Sequence, residues 1–185
     1  VASRGLGDVY KRQILMEPPS SINSTPPTIV VIFGASGDLT ARKLGPAILN
    51  LSMDSLLPFH CYLIGYGRKE ISDIEFRNYI KESTEKHSRR KISEETWKSL
   101  EENVSFHAGS YDNIDDFHSL SAQIDSIEKK LDQAIQCLFY ISTPPTVFKP
   151  ILENLGKSGL AKRHRNKQVE SKVIIEKPFG RDLAS

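Results

Sequence analysis

The amino-acid sequence predicts an α/β protein built on a doubly wound parallel sheet, and three observations carry that expectation. From Thr28 onward, short apolar runs of strand length alternate with charged, amphipathic stretches of helix length. The runs are apolar at consecutive positions, as strands buried on both faces should be. The connections are too long for hairpins and long enough for the helical crossovers that parallel strands require.

The elements follow in order. Strands are expected at Ile29 to Phe33, Cys61 to Tyr66, Val104 to Ala108, Cys137 to Ser142 and Val173 to Glu176, each enriched in Val, Ile, Phe or Tyr. Helices are expected at Leu39 to Met53, Ile71 to Lys86, Glu94 to Glu102, Ile114 to Leu131 and Val147 to Lys157. The basic run Lys86 to Lys91 (KHSRRK) reads as a solvated loop. Ahead of the first strand, residues 1–27 read as a disordered leader rich in Pro and Ser. Within it we expect 1–13 to be a cloning or sequencing remnant and Met16 to be the native start. Residues 28–185 form the one folded domain.

Composition narrows the function. A chain of 185 residues with 38% hydrophobic content can bury a core as a single domain. Its 25 basic and 23 acidic side chains leave a net charge of +2, which gives no footprint of nucleic-acid or membrane-surface binding. No apolar run approaches the roughly 20 residues of a membrane span, and no secretory h-region is visible. Cys61 and Cys137 lie in separate apolar runs without metal-ligand or CxxC spacing, and we read both as reduced core residues of a cytoplasmic protein.

The chemistry concentrates in the stretch TIVVIFGASGDLTARKL, Thr28 to Leu44. In a doubly wound sheet, the carboxyl end of the first strand lies where nucleotides bind, and a tight glycine turn there aims a helix N-terminus at a pyrophosphate. Gly34 and Gly37 fall in that turn. The spacing departs from G-x-G-x-x-G, since Ser36 replaces the middle glycine and Leu39 the last. A serine hydroxyl and backbone amides still donate to phosphate. A Walker A loop is excluded, because G-x-x-x-x-G-K-[ST] is missing. A plain structural turn is the simpler alternative, and Asp38 reads first as a helix-start acid. After the second strand, Arg68 and Lys69 precede the first acid, Glu70, which favours the 2′-phosphate of NADP over the free ribose hydroxyl of NAD. An ordinary surface arginine is the alternative.

The motifs GASGDLTARKL, GYGR, FYISTPPTVF and VIIEKPFGRDL, in this order and spacing, together resemble the N-terminal half of the glucose-6-phosphate dehydrogenase family, over roughly Thr28 to Ser185. The resemblance implies a Rossmann-type domain that binds NADP for the oxidation of glucose 6-phosphate at C1, the first step of the pentose phosphate pathway. Residue by residue, it implies that Gly34, Ala35, Ser36, Gly37, Asp38 and Leu39 form the dinucleotide turn, with Arg68 on the 2′-phosphate and Tyr111 along the cofactor. Thr143, Pro144 and Pro145 would pass near the nicotinamide half. Lys177 would contact both sugar and cofactor, ahead of a Lys177 to Pro178 bond similar to one that is cis in the family. A strand-end surface charge is the plainer reading of Lys177.

There are departures. Phe148 stands where the family often has Tyr, so a hydroxyl contact is lost. The family's general base is a histidine that would lie beyond Ser185, and none of His60, His87, His107, His118 and His164 fits that role. The resemblance therefore implies a cofactor-binding fragment with little or no turnover. It would lack the family's C-terminal β+α domain, with its homodimer or homotetramer contacts, and expose apolar surface in its place. A non-catalytic NADP-binding regulatory module is the alternative; a short-chain reductase would need a Tyr-x-x-x-Lys pair that Tyr79 to Ser83 and Tyr111 to Asp115 do not provide, and an interaction scaffold has only the Lys86 to Lys91 loop in its favour. No metal site is expected.

Overall fold

The computed structural model describes residues 25–163 and 169–177. The expected leader therefore lies almost wholly outside the described residues, as do His164 and Pro178.

Among the described residues five strands form one sheet in the order β3-β2-β1-β4-β5, where β1 is Thr28–Phe33, β2 Cys61–Gly67, β3 Val104–Ala108, β4 Gln136–Ile141 and β5 Lys172–Ile175. Every pairing is parallel. The doubly wound expectation holds, and β1, flanked by β2 and β4, marks the point where the strand order reverses. The helices are α1 (Gly45–Met53), α2 (Asp73–His87), α3 (Glu94–Glu101), α4 (Ile114–Leu131) and α5 (Phe148–Lys157).

Alternation along the strands divides the core in two. Ile29, Val31 and Phe33 of β1 face Phe117, Leu120 and Ile124 of α4 and Ile151 and Leu155 of α5. Ile32 of β1 and Leu63 of β2 face Leu49, Phe76, Ile80, Trp97 and Leu100 of α1, α2 and α3. The helix starts are fixed by short polar side chains that satisfy free backbone amides. Ser72 and Glu75 form a reciprocal capping box on α2, and Ser93 and Asn113 accept from Thr96 N–H and Asp115 N–H on α3 and α4.

Two expectations are corrected. The helix expected from Leu39 to Met53 is not uniform, because Thr40–Leu44 form a wide π-type turn before α1 begins. Pro46 explains it: without an N–H, and with a ring that crowds the carbonyl four residues back, it displaces the ladder, and Gly45 N–H donates five residues back to Thr40 O instead. Second, the strands are not all covered on both faces. Leu138 and Tyr140 of β4 are half-buried, and Val173 and Ile174 of β5 are 38% and 39% exposed. Over this part of the sheet the described residues leave open an apolar cleft of about 510 Å³, lined by Val30, Leu44, Ile48, Leu138, Tyr140 and Ile174 among others. The two cysteines are as expected, free and buried.

Candidate functional site

All five strands run parallel, so their carboxyl ends share one edge, and each site residue expected from the sequence that the structure describes lies along it. The glycine turn follows β1. Gly34 N–H and Ala35 N–H both donate to Tyr66 O at 2.9 and 3.2 Å, and Gly37 N–H closes the turn on Gly34 O at 2.9 Å. Gly34 has φ +82°, and a Cβ there would stand 2.6 Å from Ser142 O and 3.0 Å from Thr143 Cγ2. Glycine is therefore required twice over, by backbone conformation and by the approach of β4. A Cβ on Gly37 would come within 3.0 Å of Gly34 O.

Ala35 is fully buried, Ser36 and Asp38 are exposed, and Leu39 is half-buried. Asp38 opens the helical turn and pairs with Arg42 at 2.8 Å. Both partners are mostly exposed, so the pair adds little stability. From the other side, Tyr79 of α2 donates its hydroxyl to Gly37 O at 3.0 Å and pins the turn.

Arg68 and Tyr111 come together beside this turn. The Arg68 guanidinium lies 5.8 Å from the centre of the Tyr111 ring, within cation–π range. Burial raises the Tyr111 hydroxyl above its ordinary range, opposed by the Arg68 charge and by the Gly34 backbone beside it. Tyr111 therefore spans the distance from the glycine turn to the arginine after β2. Its ring is backed by Tyr66, 6.0 Å away between centres, which in turn stacks on His107 at 5.3 Å and donates to Ser110 O at 2.8 Å. His107 spends its ring nitrogens on Gln123 and Asp116 O, so it is committed to the fold.

At the junction of β1 and β4 the hydroxyls of Ser142 and Thr143 are buried without hydrogen-bond partners, as is that of Thr40 in the helical turn. Orphaned hydroxyls at a switch point are groups that a polar ligand would satisfy. Together with the glycine cradle and the Arg68 cation, they fit a dinucleotide. Lys177 is exposed, two residues past the end of β5 and two strands away from the turn. Glu176 before it accepts a hydrogen bond from the Tyr140 hydroxyl.

Sequence reasoning missed Tyr66, Tyr79, Ser142 and Tyr140. Tyr66 and Tyr140 lie inside apolar strand runs, and Tyr79 follows Phe76 at helical spacing, so each reads as core. Their hydroxyl partners are 36 to 44 positions distant in sequence and carry no local signal. Among the described residues no group of acids, cysteines and histidines could hold a metal ion, and no helix is long and apolar enough to cross a membrane.

A family model described as "Glucose-6-phosphate dehydrogenase, NAD binding domain" matches residues 31–185. Similar curated proteins include the glucose-6-phosphate 1-dehydrogenase of Chlamydia pneumoniae, 37% identical over 176 residues that make up 93% of this chain and 34% of the relative. That of Caenorhabditis elegans is 36% identical over 161 residues, 86% of this chain and 29% of the relative. Among solved structures, a glucose-6-phosphate dehydrogenase in complex with its substrate glucose-6-phosphate has a TM-score of 0.73 at 29% identity, covering 86% of this chain and 32% of that one. The chain spans about a third of the length of the proteins it matches.

Proposed function

The chain belongs to the glucose-6-phosphate dehydrogenase family, and from that premise we propose that residues 28–185 are the NADP-binding domain of an enzyme that oxidises glucose 6-phosphate to its lactone. The observation that carries the cofactor choice is the placement of Arg68 over Tyr111, beside the Gly34 turn and with no acid between β2 and Glu70. A free ribose hydroxyl is best met by a carboxylate and a 2′-phosphate by a guanidinium fork.

Bound NADP supplies the hydride acceptor. The chain's own residues bind and orient: the Ser36 hydroxyl and the first amides of the helical turn that Asp38 opens take the pyrophosphate, Arg68 takes the 2′-phosphate, and Tyr111 lies along the adenosine half. The Thr143–Pro145 turn borders the nicotinamide half, and Lys177 reaches sugar and cofactor at the carboxyl end of β5. The base that removes the C1 hydroxyl proton and most groups for the sugar phosphate belong to the longer protein. The 185-residue chain alone is accordingly a binding unit with little or no turnover, and the longer protein is a homodimer or homotetramer. The apolar cleft that the described residues leave open over β4 and β5 supports this, since apolar surface of that extent calls for cover.

Titration calorimetry with adenosine 2′,5′-bisphosphate and with adenosine 5′-monophosphate tests the reading without the nicotinamide half. One well-formed charge-assisted contact corresponds to about tenfold or more in affinity, so the bisphosphate is expected to bind at least about that much tighter, with the difference lost in Arg68→Ala. Equal affinities would overturn the assignment.

A further inference from the structure

We propose that Tyr140 and Glu176 form a positioning pair that sets Lys177 at the cofactor edge, an inference that rests on the function just proposed. Strand β5 is a short edge strand of four residues, exposed along most of its length and held sideways by β4. Its backbone ladder with β4 ends at the Ile141–Ile175 pair. Lys177 lies two residues beyond that pair, where β5 has already ended. The backbone carrying Lys177 thus leaves the sheet just as its ladder stops.

Tyr140 spans this gap. Its register partner is Ile174, yet its hydroxyl reaches forward two residues to donate to a carboxylate oxygen of Glu176. The ring meanwhile lines the cleft together with Ile174, which orients the hydroxyl along the strand toward the carboxyl edge. A tyrosine hydroxyl is protonated at neutral pH and is the donor here, and burial first, and then the Glu176 carboxylate, push it up further, to about 12. A hydrogen bond to a charged acceptor one residue before Lys177 fixes the backbone from which that side chain extends, where a free edge strand would fray. Glu176 itself need not touch the sugar or the cofactor for this to hold, and Tyr140 is spent on Glu176.

The test is a double-mutant cycle read by NADPH fluorescence titration of the 185-residue chain, with thermal melts of every variant alongside. Tyr140→Phe retains the ring in the cleft and removes only the donor, and Glu176→Gln retains an oxygen that still accepts. Loss of one such bond is expected to weaken binding about three- to tenfold in Tyr140→Phe and in Glu176→Ala, with Glu176→Gln close to the parent. In a Lys177→Ala background neither change should weaken binding further, because the pair acts through that lysine. An equal loss in both backgrounds would mean a general structural effect and would overturn the proposal, as would no loss in Tyr140→Phe. If the parent chain binds no dinucleotide, the proposed function itself falls and this inference with it. Binding by the parent that is indifferent to Tyr140 sinks the inference alone.

Discussion

Replacing Gly34 by Ala separates two reasons for that glycine, and Gly159 provides the control. Both residues have nearly the same backbone angle, φ +82° and +81°. They differ in surroundings: a Cβ on Gly159 meets nothing within 4 Å, whereas one on Gly34 falls 2.6 Å from Ser142 O. That carbonyl cannot simply retreat, since the N–H of the same residue is bonded to Phe33 O. The left-handed conformation alone costs an alanine about 1–2 kcal/mol, and this should be the whole effect at Gly159. At Gly34 the forced contact with backbone adds a further ~1–3 kcal/mol. Gly34→Ala is then expected to cost about 2–5 kcal/mol, which for a domain of this size lowers Tm by about 4–20 °C. Thermal melts and urea titrations of the two variants measure the difference directly, with the unfolded-state gain from alanine common to both. Equal destabilisation would refute the close approach of β1 and β4 on which the site geometry depends.

Further outcomes follow from other contacts. A Cβ on Gly65 would lie 2.4 Å from Phe76 Cζ, so Gly65→Ala should destabilise by ~1–3 kcal/mol in denaturant titration, with partial recovery in a Gly65→Ala, Phe76→Leu double variant. Ser72→Ala removes one half of a capping box and should cost about 1 kcal/mol, visible as a lower urea midpoint with an unchanged slope. Burial pushes the Cys61 and Cys137 thiols up to about 11 and about 12 from an ordinary 9.0. Above pH 9 the unfolded chain then ionises its thiols while the folded one does not, so stability should fall as pH rises from 9 toward 11. Melts across that range check the sign, and a thiol reagent at pH 8 should label neither cysteine until denaturant is added.

Much of the fold could be read in the sequence because its signals are local. Apolar runs such as TIVVIF and CYLIGYG mark strands wherever they pair, whereas the cap formed by Ser72 and Glu75 starts α2 at Asp73, two residues after the expected start at Ile71. The π-type turn at Thr40–Leu44 was also present in the sequence, as Gly45–Pro46, but the weight of the surrounding helical pattern concealed it. Of the candidate site, the placement of Gly34 and Arg68 at the carboxyl edge of the sheet could be read from their positions after β1 and β2. The rest rests on pairs far apart in sequence: Arg68 with Tyr111, Tyr79 with Gly37, Tyr140 with Glu176. The unburied face of β4 and β5 could not be read from their apolar residues, because a strand awaiting cover from elsewhere has the same composition as one already covered.

The central claim is a dinucleotide site built around Gly34 and selected by Arg68, and titration calorimetry of the chain with NADP and with NAD tests it most directly, in the parent and in Arg68→Ala. The parent should show clear preference for NADP, and the variant should lose that preference with NAD affinity little changed. Equal affinity of the parent for both nucleotides, or a preference that survives removal of Arg68, would contradict it.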